Sequence, residues 1–209
     1  MEHTVITIAR SYGSGGRTLG KLLAKELGIH CYDRELLRMA SEQSGINEAL
    51  FGEVDEKVKS LPLFGISKKI YKGEIFPPES DDFVSDDNLF NYQAKIIKEV
   101  AAEESCVIIG RCADYALADY PNVVSVFITA DEDVKIRTLM ERHKITESQA
   151  KDLMIKTDKK RSSYYNYYSS KRWGDSKSYD LCMNSSKIGY DGVVKMIQEF
   201  AKIKGAYKK

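Results

Sequence analysis

VITIARSYGSGGRTLGKLL, residues 5–23, decides how the rest of the chain is read. Val5 to Ile8 is a short β-branched apolar run, the pattern of a buried strand. The loop Ser11-Tyr12-Gly13-Ser14-Gly15-Gly16 follows at once. Leu19, Leu22, Leu23 and Leu27 then recur at helical spacing, and Gly28 stands where a helix C-terminus favours glycine. Strand, glycine loop, helix opens many nucleotide-binding α/β folds. Such a loop can aim several backbone N–H groups at one phosphate, because Gly13, Gly15 and Gly16 carry no side chains to block approach, and the helix adds its positive end. Gly13, Ser14, Gly15, Gly16, Arg17 and Thr18 are therefore the candidate polyphosphate cradle, with the Thr18 hydroxyl available to phosphates or Mg²⁺. The bland reading is a β–α turn that binds nothing; the threonine and the strand–helix context favour phosphate.

The loop lacks the lysine of the pattern G-x-x-x-x-G-K-[ST]. Two registers are open. In one, Gly16 stands at the lysine position. In the other, Gly16-Arg17-Thr18 stands for G-K-T and Ser11 replaces the first glycine. Arg17 is the expected functional cation in either, although a forked guanidinium is not geometrically equivalent to an ammonium.

Working outward, the spacing predicts a strand at Ile29 to Tyr32 and a helix over about Arg34 to Gln43. Between Gly45 and Asp87, Gly65, Gly73 and the Pro77-Pro78 pair break the pattern, which suggests a mobile, partly helical insert. A helix is expected from about Asn88 to Ala102. It leads into Cys106 to Ile109, an apolar run that suits a central parallel strand. Val123 to Ile128 is a similar run. Asp131, Glu132 and Asp133 open the next helix, and Arg142 and His143 close it, in keeping with the macrodipole. Thr146 and Gln149 form a capping-box pattern. Leu181 to Met183 reads as a last strand and Val193 to Phe200 as a closing helix. This alternation argues for a parallel sheet with helices on both faces.

The 209 residues fit one domain with that insert. A net charge of +1 gives no global attraction to nucleic acid or membrane, so any basic site is local. No signal-peptide pattern or apolar stretch of membrane-spanning length is present. Cys31, Cys106, Cys112 and Cys182 are scattered, and three lie in or beside apolar runs, as reduced core thiols do. His3, His30 and His143 show no metal-ligand spacing, and no Ser-His-Asp arrangement survives. A reduced, soluble, cytoplasmic protein is expected.

Further candidates come from strand ends, where open parallel sheets bind ligands. Gly110-Arg111 follows the Cys106–Ile109 strand, with Asp114 close behind; Arg111 offers a fork for a phosphate or a base edge, or it simply pairs with Asp114. Asp33 ends the second strand. It could hold a sugar hydroxyl, hydrated Mg²⁺ or the arginine of the accepting phosphate, or serve as a plain N-cap. Arg38, one turn later, is a candidate clamp for an acceptor phosphate. Lys156, Lys159, Lys160 and Arg161 precede Tyr164, Tyr165, Tyr167 and Tyr168, then Lys171, Arg172 and Trp173. Cations that close over a transferring phosphoryl group account for such a cluster. A solvated helix face over packed tyrosines, or a single-strand nucleic-acid surface, are the alternatives.

TIARSYGSGGRTLGKLLAKELG, CYDRELL, VIIGRCADYAL, VFITADEDVKIRTLMER, TDKKRSSYYNYY and YDLCMNSS, in that order, resemble the cytidylate kinase-like family across nearly the whole chain. The resemblance implies a three-layer α/β/α P-loop fold. Its sheet would be mostly parallel and five-stranded, with an acceptor-binding insert at about 45–87 and a lid at about 155–175. It implies ATP on residues 13–18 with Mg²⁺, and a small acceptor, a nucleoside monophosphate such as CMP or dCMP, on Asp33, Arg38, Arg111 and Asp114. Lys160 and Arg161 resemble the lid cations. Asp114 lies further from Arg111 than the adjacent acid of cytidylate kinases.

Overall fold

The computed structural model describes residues 3–56 and 74–206. Five strands form one sheet: β1 (Val5–Arg10), β2 (His30–Tyr32), β3 (Cys106–Ile109), β4 (Val123–Thr129) and β5 (Leu181–Asn184). Their order is β2-β3-β1-β4-β5, and every pairing is parallel. Val5 pairs with both Cys106 and Val123, so β1 lies at the centre, and β3 is interior.

Strand alternation splits the apolar residues between two faces. Ile6, Ile8, Val107, Ile109, Val124, Val126 and Ile128 pack on one side against Leu19 and Leu23 of α1 (Gly16–Leu27) and Val193, Val194 and Ile197 of α8 (Ser185–Ile203). Val5, Cys106, Ile108, Val123 and Phe127 face the other side. There they meet α2 (Glu35–Ser44), α3 (Glu48–Glu56), α4 (Asp86–Glu103), the single turn α5 (Ala113–Ala116) and the tyrosines of α7 (Glu147–Ser169). A smaller cluster, Ile136, Leu139, Ala150 and Met154, joins α6 (Glu132–His143) to the start of α7. The result is the expected α/β/α sandwich.

Local signals account for most element ends. Gly28 caps α1 in the left-handed region at φ 67°. The Thr146–Gln149 capping box forms with both of its hydrogen bonds and starts α7, which then runs unbroken for 23 residues. The segment read as a broken insert contains α3, and Asn88 pins its far end: the Phe76 N–H donates to Asn88 Oδ1 (2.8 Å), and Asn88 Nδ2 donates to the Phe83 carbonyl (2.8 Å). Residues 57–73 of that insert lie outside the described residues. All four cysteines are free. Cys106 and Cys112 are buried, whereas Cys182, on edge strand β5, is exposed. No helix among the described residues is long and apolar enough to cross a membrane.

The fold fixes where a ligand can sit. β1 and β3 are neighbours, yet the helix after β1 packs on one face of the sheet and the turn after β3 packs on the other. Their loops diverge at the carboxyl edge and leave a crevice between them.

Candidate active site

The glycine loop starts this crevice. Gly13 and Gly15 adopt left-handed φ values of 85° and 80°, which turn the chain tightly enough to begin α1 at Gly16. No side-chain cap bond forms at Gly15, and Gly15 and Gly16 at the start of α1 line the crevice. Ser14 is buried, and its hydroxyl is spent within the loop, donating to the Ser11 carbonyl (2.8 Å). Ser185, at the start of α8, donates to the Ser14 carbonyl (2.8 Å) and ties the loop down from behind. The Tyr12 N–H donates to Asp158 Oδ1 on α7 (2.7 Å). These anchors fix the course of the loop.

Two adjoining cavities occupy the crevice. One, of about 490 Å³, is lined by Tyr12, Gly13, Gly15 and Gly16, with Arg142 and His143 from α6 and Lys156 from α7. The other, of about 760 Å³, is lined by Asp33, Gly110, Arg111 and Asp114, by Glu48 and Glu53 from α3, and by Tyr164, Tyr165 and Trp173. Arg10, Arg17, Arg34, Thr157, Lys160 and Arg161 line both. Thr157, Lys160, Arg161 and Tyr164 recur at helical spacing, so a single face of α7 forms one wall of the whole crevice.

The junction is strongly cationic. Arg17 Nε pairs with Asp33 at 2.5 Å. Arg161 Nη1 donates to the Arg10 carbonyl (3.1 Å), lies 3.8 Å from Asp158 and sits 5.1 Å from the centre of the Tyr12 ring. Burial first, and then the nearby Arg161 and Arg111 charges, push the Arg10 guanidinium down to about 9, with Asp33 opposing. Burial also lowers Arg111 and Arg161. A guanidinium keeps its proton at neutral pH, so buried positive charge gathers here, which an anion would relieve. The backbone reinforces this picture. Gly110, Arg111 and Cys112 take successive left-handed φ values of 74°, 62° and 51°, a costly conformation for the two residues with side chains, held where it projects Arg111 into the larger cavity.

That cavity also has a polar wall. The Tyr165 hydroxyl donates to Asp114 Oδ2 (2.7 Å), while burial raises the Asp114 carboxyl above its ordinary range. The buried Tyr164 hydroxyl has no hydrogen-bond partner among the described residues, and burial keeps it protonated.

Most of the residues singled out in the sequence meet here: Gly13, Gly15, Gly16 and Arg17 at the loop, Asp33, Arg111 and Asp114 in the larger cavity, and Lys160 and Arg161 between. Two do not. Arg38 lies on the outer face of α2, paired with Glu35 and Glu42 at 3.6 Å each, because the inward face of that helix is taken by Leu36, Leu37 and Ala40. Arg34, one turn earlier, lines the cavities in its place. Thr18 is exposed on α1 and lines neither cavity. Tyr164, Tyr165 and Tyr168 are core residues beneath the cations, and Lys171 and Arg172 are solvent-exposed. Arg10 escaped notice, although it ends β1 just as Asp33 and Arg111 follow theirs.

A parallel five-stranded sheet of this order, with an uncapped helix behind a glycine loop on its central strand and cations gathered over it, is the P-loop kinase fold. Shikimate kinase from Bacteroides thetaiotaomicron shares that fold, at a TM-score of 0.51 and 18% identity over 95% of this chain and 98% of that one. The crystal structure of an uncharacterized protein from Eubacterium ventriosum ATCC 27560 matches at a TM-score of 0.70 and 31% identity, covering 96% of this chain and 99% of that one. A cytidylate kinase from Methanosarcina barkeri (strain Fusaro / DSM 804) is 23% identical over 184 residues, 87% of each chain. The sequence pattern of the cytidylate kinase-like family matches residues 5–187, and the chain belongs to that family.

Proposed function

We propose that the protein transfers the γ-phosphoryl group of ATP, bound with Mg²⁺, to a small phosphate-bearing acceptor, with a nucleoside monophosphate such as CMP or dCMP as the leading class. One observation carries this reading: a glycine-loop cavity and a larger polar cavity meet at a shared set of cations, Arg10, Arg17, Arg34, Lys160 and Arg161. Two anionic substrates entering from opposite sides would bring their phosphates together there. Phosphoryl transfer asks little more of a protein than this alignment and charge stabilisation.

In this reading the loop amides from Gly13 to Thr18 hold the donor phosphates. Arg17, kept at the junction by Asp33, reaches toward both substrates. Arg34 and Arg111 orient the acceptor anion. Lys160 and Arg161 on α7 meet the charge that spreads over the equatorial oxygens in the transition state. Tyr164, Asp114 and the acids of α3 face the rest of the acceptor, where a base or sugar presents hydrogen-bond donors. The carboxylate of Asp33 fits hydrated Mg²⁺ on a polyphosphate better than the solvent-facing Thr18 does, since Mg²⁺ favours carboxylates and phosphate oxygens. The metal would supply charge neutralisation on the polyphosphate.

A coupled ADP-release screen across nucleoside monophosphates and small metabolites tests this reading. Acceptor-dependent release with at least one monophosphate is expected. Tight ATP binding with no acceptor-dependent release would instead favour a nucleotide-binding regulator, the alternative raised by the lysine-free loop.

A further inference from the structure

The missing lysine leaves a question of volume: something fills the room it would need. Setting Gly15 and Gly16 on the last G-K of G-x-x-x-x-G-K puts residue 10 at the first glycine. That residue is Arg10. A Cβ built on Gly16 would lie 2.6 Å from Arg10 Cβ and 2.9 Å from Arg10 Cγ, closer than carbon atoms tolerate. A Cβ on Gly110 would collide with Arg10 Nη1. The arginine stem therefore crosses the space that a side chain at position 16 would take, and its guanidinium rests over Gly110 at φ 74°. From there it lines both cavities. The Arg161 hydrogen bond to the Arg10 carbonyl fixes the backbone from which it departs.

We infer that Arg10 has exchanged places with the P-loop lysine: the glycine and the cation have swapped sides of the loop, and Arg10 is the group that grips the β- and γ-phosphates of the donor. This rests on the donor-cavity reading above. Arg17 pairs with Asp33 instead. A forked guanidinium also offers two parallel hydrogen bonds to a phosphate where an ammonium offers a point charge.

The test is a swap cycle: wild type, Arg10→Gly, Gly16→Lys and the double variant, in which residues 10–16 read G-x-x-x-x-G-K. Titration with MgATP and with inorganic tripolyphosphate reads affinity, and thermal unfolding without ligand reads packing. Losing one buried charge-assisted contact weakens MgATP and tripolyphosphate binding roughly 10- to 100-fold in Arg10→Gly. Gly16→Lys lowers the melting temperature by crowding Arg10. The double variant should recover both, binding more tightly than Arg10→Gly and melting higher than Gly16→Lys. Wild-type affinity in Arg10→Gly, or a double variant no better than the poorer single one on either readout, overturns the inference while leaving the kinase reading in place. A wild-type protein that binds neither ligand overturns both.

Discussion

Gly110→Ala separates backbone strain from the seat of Arg10. Gly110 and Gly28 share a left-handed backbone, at φ 74° and 67°, but a methyl group on Gly28 meets nothing within 4 Å. Both substitutions therefore carry the left-handed penalty of about 1–2 kcal/mol. Gly110→Ala also forces the Arg10 head from its place, and overpacking of that kind adds about 1–3 kcal/mol. At roughly 2–4 °C per kcal/mol for a chain of this size, Gly28→Ala should melt some 2–8 °C below wild type and Gly110→Ala some 4–20 °C below. MgATP titration is the sharper assay. Gly28→Ala keeps wild-type affinity, whereas Gly110→Ala loses it roughly 10- to 100-fold. In an Arg10→Gly background, Gly110→Ala should weaken binding no further. Equal melting temperatures for the two alanine variants, with MgATP affinity intact in both, would refute the packing argument.

Three further outcomes follow from the acceptor side. Tyr164→Phe removes a buried hydroxyl that has no partner among the described residues, so the melting temperature should hold or rise while the acceptor KM rises roughly tenfold; an unchanged KM removes Tyr164 from acceptor binding. Arg34→Ala should raise the acceptor KM and Arg38→Ala should not, because Arg34 lines the cavities and Arg38 pairs outside them; the reverse ranking would restore Arg38 as the clamp. Burial raises Asp114 above its ordinary value of 3.8, so the folded state holds that proton more tightly than the unfolded chain. As pH climbs above that value the unfolded chain releases its proton first, and this residue's contribution to stability falls. Asp114→Asn should flatten the stability–pH curve just above the ordinary carboxylate range in denaturant unfolding; an unchanged slope would contradict the assignment.

The sequence carried the fold wherever a local rule and the global fold agreed. The strand–loop–helix order of Val5 to Gly28, the apolar β3 and the Thr146 capping box each appear where the pattern put them. α3 was hidden because Glu48 to Glu56 is short and lies in a stretch interrupted by glycines and prolines, and it is fixed by burying Phe51 and Val54 against the core rather than by its own pattern. The site was legible in kind and less so in detail. Arg38 looked suitable because it lies one turn beyond Asp33, but which face of α2 turns inward depends on packing against the sheet. Arg10 was missed because the strand was read as ending at Ile8 and the loop as opening at Ser11, whereas β1 runs on to Arg10. The same strand-end rule that singled out Asp33 and Arg111 applies to it, and the absent lysine was the signal that a cation had to come from elsewhere.

The central claim is that the two cavities are halves of one transfer site, joined at the cations of α2, α7 and the glycine loop. A bisubstrate compound, adenosine joined through a chain of phosphates to the nucleoside of the best acceptor, tests it in one titration. One molecule per chain should bind at least about 100-fold more tightly than either nucleotide alone and exclude both. If a saturating amount still leaves the protein free to bind ATP or the acceptor, the cavities do not share a reaction and the account fails.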